Sequence, residues 1–161
     1  MKSLALITLI ASSAMLSNTV YAGDWGKYLS TAQATKAAIN KGNVEKAGNL
    51  AKQLVTISTT LLPQVAAKHA QCQEYLSVAL SAATKMQNIS LDAIEKDYHA
   101  DGKLPPVKDA KCYHAKDLLV HPATVVVLAK QGTNTDTVKA QMLDEIDEVI
   151  EHFSQVKDSV N

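Results

Sequence analysis

Apolar residues recur at spacings of three and four positions over most of this chain, and this periodicity constrains its fold more than any other feature. Such spacing places apolar side chains along one face of an α-helix. Alanine is abundant, whereas the chain has only 6 glycines and 4% aromatic residues. The sequence therefore predicts an all-α protein, an antiparallel, up-down bundle of four main helices in which a short fifth helix is an open alternative.

Residues 1–22 have the pattern of a secretory signal peptide. Lys2 supplies a positive charge, an apolar core extends from Leu4 to Leu16, and Val20 and Ala22 stand at the positions that signal peptidase reads. We predict cleavage after Ala22, export to the periplasm or the medium, and a mature single domain of residues 23–161. The apolar run is shorter than the roughly 20 residues of a transmembrane helix, so we expect no membrane span.

The charge of the chain argues against nucleic acid as a partner. The formal net charge is +0 at pH 7, and the chain contains no arginine. A neutral protein produces no long-range field that attracts a polyanion. Without guanidinium groups it also lacks the bidentate donors that recognise phosphate and guanine. We therefore expect an unidentified protein or small molecule as the partner.

Turn-forming residues divide the periodic pattern into helices. Gly42 and Asn43 predict a turn between a first helix, capped by Asp24, and a second helix. Pro63 is expected to end or kink that second helix, because proline lacks an N–H donor. A long third helix is then predicted from Gln64 to about residue 100.

Residues 97–122 interrupt the helical pattern and contain three of the five histidines, three of the four prolines and one of the two cysteines. We expect an irregular loop here, in which Gly102 stops the preceding helix in a left-handed conformation. Pro122 is expected to begin a short buried helix over residues 123–130, with His121 extended before it. Asn134 or Thr135 then caps the last helix.

Two cysteines in an exported protein predict one disulfide bond, Cys72–Cys112. An unbroken helix from Cys72 to residue 100 would be about 42 Å long. The twelve residues that remain would return about 40 Å if fully extended. We therefore expect the long helix to break near Asn88, where Asn88 and Ser90 offer caps for a new helix.

The histidines of residues 97–122 are the candidate metal ligands. His99, His114 and His121 could converge as imidazole ligands for Zn²⁺ or Cu²⁺. A carboxylate could complete this site, from among Asp97, Asp101 and Asp117. The alternative is that the three histidines serve as helix caps or as hydrogen-bonding groups in the core.

The last helix carries stacked carboxylates along one side, from Asp144, Asp147, Glu148 and Glu151. We interpret them as a solvated face, with a cation or a lysine-rich partner as the alternative. His152 lies one turn from Glu148 and is a weaker ligand candidate than the three histidines above, as is His69.

Haem and catalysis have less support. A b-type haem would need Met86 or Met142 opposite a histidine, and both methionines fall at expected core positions. No nucleophile motif is present, and only Cys112 beside His114 could supply a thiolate. We therefore expect no catalytic residues and no resident cofactor, with Zn or Cu as the first alternative and b-haem as the second.

The favoured functional hypothesis is an exported, non-catalytic interaction or stress-related protein whose irregular segment binds a partner. The expected partner face consists of Tyr98, His99, Tyr113, His114 and Lys116. The alternative is a periplasmic metal- or b-haem-binding protein that uses the histidines of residues 97–122. An enzyme is the most remote of the three hypotheses.

Overall fold

The structure, a computed structural model, describes residues 17–132 and 135–160. This part of the chain contains seven α-helices and no strand, so the all-α prediction is confirmed. The helices are α1 (Ser17–Asn40), α2 (Val44–Lys68), α3 (Gln73–Ser81), α4 (Ala83–Met86), α5 (Leu91–Ile94), α6 (Ala110–Lys130) and α7 (Asp136–Val160). A 3-10 turn (Ala70–Cys72) precedes α3, and a π-helical turn (Glu95–His99) follows α5.

Four long helices hold the core. The most extensive contacts join α2 to α6, α6 to α7, α1 to α2 and α1 to α7. Phe153 of α7 packs against Trp25 and Tyr28 of α1, with each pair of ring centroids 5.8 Å apart. Most of α6 is buried, because it contacts α2 on one side and α7 on another.

The predicted long third helix is wrong. Helix α2 continues through Pro63 to Lys68, and the segment from residue 69 to residue 109, which we call the connecting arm, consists of short helices. The predicted break near Asn88 is confirmed, since α4 ends at Met86 and the Ser90 hydroxyl accepts a hydrogen bond from the Ala93 N–H at 3.2 Å. Several short elements in place of one long helix let the chain return to α6.

The predicted disulfide is also confirmed. Cys72 and Cys112 are bonded, and their Cα atoms lie 5.1 Å apart. Both cysteines are fully buried. The bond attaches the start of the connecting arm to the first turn of α6, so it closes a loop that contains the whole remainder of the arm.

Pro122 lies inside α6, so the prediction of a helix that begins there, after an extended His121, is wrong. A proline in a helix leaves the carbonyl four residues earlier without its N–H donor. Two side chains supply donors instead. The hydroxyls of Tyr28 and Ser58 lie 2.6 and 2.5 Å from the Leu118 carbonyl oxygen, which allows α6 to continue through the proline.

The irregular segment is shorter than predicted, because only residues 100–109 lie between the π-helical turn and α6. Asp101, with φ of 61°, is the left-handed residue, and not Gly102 as predicted. Aspartate tolerates this conformation better than most side chains. Gly102 is needed for another reason: a Cβ atom here would lie 2.3 Å from the Lys96 carbonyl oxygen.

The other turns mostly agree with the sequence. Gly42 has a positive φ of 71°, and the Asn43 side chain accepts a hydrogen bond from the Lys46 N–H at 3.0 Å. Gly132, also left-handed, follows α6 as predicted. The Thr135 hydroxyl accepts a hydrogen bond from the Val138 N–H at 3.3 Å, whereas Asn134, the other candidate cap, lies outside the described residues.

Helix α1 begins before its predicted cap, so Asp24 lies inside the helix. Residues 1–16 of the predicted signal peptide lie outside the described residues, and residues 17–22 form the first part of α1. No helix in the described ranges, 17–132 and 135–160, is both long enough and apolar enough to cross a membrane.

Candidate metal centre

Helix α6 places polar side chains inside the molecule. Asp117 is fully buried and His121 is 3% exposed, and they lie four residues apart, on the same face of the helix. Lys116, next to Asp117, is also fully buried. Buried charged groups require compensating partners, because transfer from water is costly. The surrounding elements supply these partners.

Helix α7 contributes a second set of polar groups. Glu145, Glu148 and His152 follow at helical spacing and face α6. The rings of His121 and His152 stack, with centroids 5.4 Å apart and an interplanar angle of 9°. His114 of α6 lies against His152 on another side, at a centroid distance of 4.9 Å.

The π-helical turn of the connecting arm contributes His99. Its ring meets that of His121 at a centroid distance of 5.1 Å and an angle of 62°. Three elements that are distant in sequence therefore bring their histidines to one place. We call the group His99, Asp117, His121, Glu148 and His152 the histidine cluster.

Each of the three histidines in this cluster has its Nδ1 atom held by a neighbour. Nδ1 of His121 lies 2.7 Å from Glu145, and Nδ1 of His99 lies 3.0 Å from Glu95. Nδ1 of His152 lies 2.8 Å from Nδ1 of His114. Where Nδ1–H donates to a carboxylate, as in His99 and His121, the orientation of the ring is fixed and Nε2 is available to a metal ion. The same holds for His152 in the tautomer whose Nδ1–H donates to His114.

The Nε2 atoms lie close to carboxylate oxygens. His121 Nε2 is 3.1 Å from Glu148 Oε2, and His152 Nε2 is 3.8 Å from the same oxygen. His152 Nε2 is also 3.7 Å from Asp117 Oδ2. Nε2 of His121, Nε2 of His152 and the oxygens of Glu148 and Asp117 therefore lie together in one small volume.

Three buried atoms in this volume have no hydrogen-bond partner: Oδ1 and Oδ2 of Asp117, and Nε2 of His121. Lys116 Nζ lies 2.9 Å from Asp117 Oδ1, close enough for an ion pair but not aligned for a hydrogen bond. A buried polar atom without a partner costs about 1–3 kcal/mol. A cation bound to the same atoms would offset this cost.

Donor atoms of the cluster form two possible ligand sets, each with all atoms within 4.8 Å of one another. One set consists of His99, Asp117 and His121, and the other of His121, Glu148 and His152. His121 belongs to both. Imidazole nitrogen combined with carboxylate oxygen is a donor combination typical of zinc and copper sites.

The electrostatic environment of the cluster is rich in carboxylates. Burial raises the pKa of Asp117, and the neighbouring Lys116 and His121 counteract only part of this effect. Burial and the nearby positive groups, chiefly His121 and His114, lower the pKa of His152 to about 4. His152 is therefore neutral at pH 7, which is the form that binds a metal ion.

A cleft of about 210 Å³ lies beside the cluster, between α5, α6 and α7, and no cluster residue lines it. Glu95 and Glu145, which hold His99 and His121, are among its lining residues. Asp92 and Asp144 also line it and are exposed to solvent. Within the cluster, His99 is partly exposed and Glu148 is exposed, so one edge of the cluster lies at the surface.

The structure brings together two of the three histidines selected from the sequence, His99 and His121. His114 is in neither ligand set but contacts His152. Of the expected carboxylates, Asp117 is in the cluster, whereas Asp97 pairs with Lys103 and Asp101 with Tyr75. His69 lies elsewhere, with Nε2 2.9 Å from the Ser159 carbonyl oxygen.

His152 belongs to one of the two ligand sets, although the sequence indicated only a weak ligand candidate. The feature of the sequence that points to it is Glu148, four residues earlier. The two side chains lie one helical turn apart and are 3.8 Å from each other. All four carboxylates of the acidic face of α7 are exposed, as expected for a solvated face, but two of them also pair with other side chains. Glu148 contacts His121 and His152, and Asp147 pairs with Lys36 of α1.

The expected partner face is not one exposed surface, because Tyr98 and Lys116 are buried while His99, Tyr113 and His114 are partly buried. Met86 and Met142, the candidate haem ligands, are fully buried in the hydrophobic core. Cys112 is in the disulfide bond, so it cannot act as a thiolate nucleophile beside His114. The described residues contain no free cysteine.

Comparisons with known proteins do not assign this site. The chain matches no protein-family model, and the searches of curated proteins and of solved structures find no significant match.

Proposed function

We propose that this chain is an exported, non-catalytic metal-binding protein that holds one zinc or copper ion in the histidine cluster. The scaffold is an up-down bundle of α1, α2, α6 and α7, and the ligands are His99, Asp117, His121 and His152. One observation carries this proposal. Asp117 and His121 are almost completely buried, and both carboxylate oxygens of Asp117 and Nε2 of His121 lack hydrogen bonds although they lie beside other metal-binding groups.

The donor set favours a first-row transition metal. Imidazole and carboxylate donors suit tetrahedral Zn²⁺, and the same donors suit Cu²⁺ in a tetragonal arrangement, whereas Ca²⁺ and Mg²⁺ require mainly oxygen. Neighbouring ligand atoms of a tetrahedral zinc ion are about 3.3 Å apart. Within each three-residue set the ligand atoms, now within 4.8 Å of one another, would each need to move inward by about 1 Å or less to reach this geometry, and the fourth ligand would come from the other set.

Charge supports the same conclusion. Four carboxylates contact the histidines of the cluster, from Glu95, Asp117, Glu145 and Glu148. The buried Lys116 is the cation that pairs with Asp117. A bound dication would offset the remaining negative charge, and it would do so where screening by water is weak.

Equilibrium titration of the metal-free protein with Zn²⁺ and with Cu²⁺ tests this proposal. We expect one ion per chain for wild type. Asp117→Asn and His121→Ala should each weaken binding by at least 100-fold, because each removes a buried ligand. His69→Ala is the matched control, since it removes a histidine outside the cluster and should bind as wild type does.

Two outcomes of this titration would refute the proposal. Weak uptake that is equal in wild type, Asp117→Asn and His121→Ala would indicate adventitious binding to surface groups. A loss of binding in His69→Ala as large as that in His121→Ala would mean that the site lies elsewhere. Circular dichroism of each variant verifies that the helices remain.

A further inference from the structure

Lys116 has no role in ligand binding, yet its side chain is fully buried at the edge of the histidine cluster. Burial of a lysine is unusual and requires that its ammonium group be satisfied. Its Nζ atom lies 4.1 Å from the centroid of the Tyr113 ring. It also lies 2.9 Å from Asp117 and 3.4 Å from Asp101.

The hydrogen bonds of Lys116 go to the backbone of the connecting arm. Nζ donates to the carbonyl oxygen of Tyr98 at 3.1 Å and to that of His99 at 2.9 Å. These two residues end the π-helical turn. The last carbonyls of a helix have no N–H partner within it, so they need donors from elsewhere. Lys116 of α6 provides these donors.

The same backbone carries a metal ligand of the proposed centre. His99 lies on the connecting arm, whereas Asp117, His121 and His152 lie on the two long helices α6 and α7. Its position relative to the other ligands therefore depends on the contacts of the arm with the long helices, among them several with α6. The ammonium of Lys116 is bonded to the carbonyl of His99 itself.

We infer that Lys116 is a positioning residue, which holds the end of the π-helical turn against α6 so that His99 reaches the metal ion. This inference rests on the proposed function. It adds that the four ligands are positioned in two different ways. Asp117, His121 and His152 are placed by the packing of long helices. His99 is placed by one buried ammonium group.

A second contact to the same turn serves as a comparison. The Tyr75 hydroxyl donates a hydrogen bond of 2.6 Å to Asp101, the left-handed residue just beyond the turn. This contact joins α3 to residue 101 within the connecting arm itself and does not touch the backbone of His99. Tyr75→Phe should therefore reduce stability without the specific loss that follows from removal of the Lys116 ammonium.

A double-mutant cycle with Zn²⁺ as the probe tests the inference. Competition with a chelator gives the affinity of wild type, His99→Ala, Lys116→Met and the double variant. We expect Lys116→Met to weaken zinc binding 10- to 100-fold, as is usual when a group that orients a ligand is removed. In the His99→Ala background the same substitution should cause less than a two-fold further loss, because no ligand remains to be positioned.

The visible spectrum of bound Co²⁺, a stand-in for zinc, gives a readout that a merely structural role would not change. Lys116→Met and His99→Ala should give the same altered spectrum, and Tyr75→Phe should keep that of wild type. If Lys116→Met does not fold, Lys116→Leu takes its place, since it also removes both hydrogen bonds to the arm and keeps the site apolar.

Two results would overturn the inference alone. One is a Lys116→Met protein that binds zinc with the affinity and the Co²⁺ spectrum of wild type. The other is a loss in the double variant equal to the product of the two single losses, which would mean that Lys116 acts independently of His99. If wild type itself binds no metal ion, the proposed function and this inference fail together.

Discussion

His121 and His152 stack on each other but have pKa values shifted in opposite directions. Burial alone would lower the pKa of His121, but its hydrogen bond to Glu145 and the charges of nearby carboxylates outweigh that effect and raise it. His152 has fewer such contacts, and burial together with the positive charge on His121 lowers its pKa to about 4. The pKa of His121 therefore lies above that of His152, although the two rings are in contact.

This difference predicts how the stability of the metal-free protein depends on pH. His152 has a pKa of 6.5 in the unfolded chain and about 4 in the folded one, so its stabilising contribution is present above pH 6.5 and is lost as the pH falls towards 4. The contribution changes by at most about 1.4 kcal/mol per pH unit. The titratable groups around His152 are His99, Tyr113, His114, Lys116, Asp117, His121 and Glu148.

Urea unfolding at several pH values between 4 and 7 measures this dependence. His152→Asn should flatten the curve in that window. His121 has the opposite sign, since a raised pKa stabilises the folded state at low pH and this contribution disappears as the pH rises. If the free energy of unfolding depends on pH equally in wild type and in His152→Asn, the lowered pKa of His152 is wrong.

At the scale of the element, α6 shows how a helix can accept an interior proline. The N–H that Pro122 lacks would have bonded to the Leu118 carbonyl, and Tyr28 and Ser58 replace it. Those donors lie 90 and 60 residues away in sequence, so no local signal reveals them. A prediction from neighbouring residues therefore ends the helix at Pro122, as ours did.

Tyr28→Phe tests this explanation. Loss of the hydroxyl should lower the free energy of unfolding by about 1–3 kcal/mol, because the buried Leu118 carbonyl loses a donor. In a Pro122→Ala background the backbone N–H is restored, and the same substitution should cost at least 1 kcal/mol less. Equal costs in the two backgrounds, measured by chemical unfolding, would show that Tyr28 does not compensate for the proline.

The connecting arm provides a second test at this scale, with a matched pair of glycines. Gly102→Ala would place a methyl group 2.3 Å from the Lys96 carbonyl, so we expect a loss of about 1–3 kcal/mol. Gly26 lies exposed in α1 with nothing within 4 Å of an added Cβ, so Gly26→Ala should gain about 0.5–1 kcal/mol from helix propensity. Thermal or urea unfolding distinguishes the expected loss of stability in Gly102→Ala from the expected gain in Gly26→Ala. An unchanged stability of Gly102→Ala would contradict the close approach of residue 102 to the Lys96 carbonyl.

Local chemistry made part of this architecture predictable. Gly42, Asn43, Ser90 and Gly132 act on the residues beside them, and their predicted turns and caps are present. The course of the connecting arm depends instead on contacts between distant residues. His152 illustrates the same limit for the site, because its importance comes from Asp117 and His121 across the helix interface and not from its own neighbours.

At the scale of the whole molecule, the disulfide bond connects the arm to the main bundle. It spans 40 residues and is fully buried. In a chain-entropy description, a closed loop of this length stabilises the folded state by about 4 kcal/mol. The arm within the loop carries His99, so the bond also limits how far this ligand can move from α6.

Replacement of both cysteines by serine should therefore lower the free energy of unfolding by about 4 kcal/mol. Amide hydrogen exchange should show loss of protection first in residues 69–109, while α1, α2 and α7 change only with global unfolding. Wild type unfolded under reducing conditions is the control and should resemble the variant. A loss of protection that is uniform over all helices would contradict the view of the arm as a separately attached segment.

The metal content of the protein purified from its native compartment tests the central claim most directly. Elemental analysis should find close to one zinc or copper ion per chain, and the His121→Ala protein purified in parallel should contain less than a tenth of that amount. Wild-type protein that contains no stoichiometric transition metal, and that takes up none when dialysed against Zn²⁺ or Cu²⁺, would contradict the account.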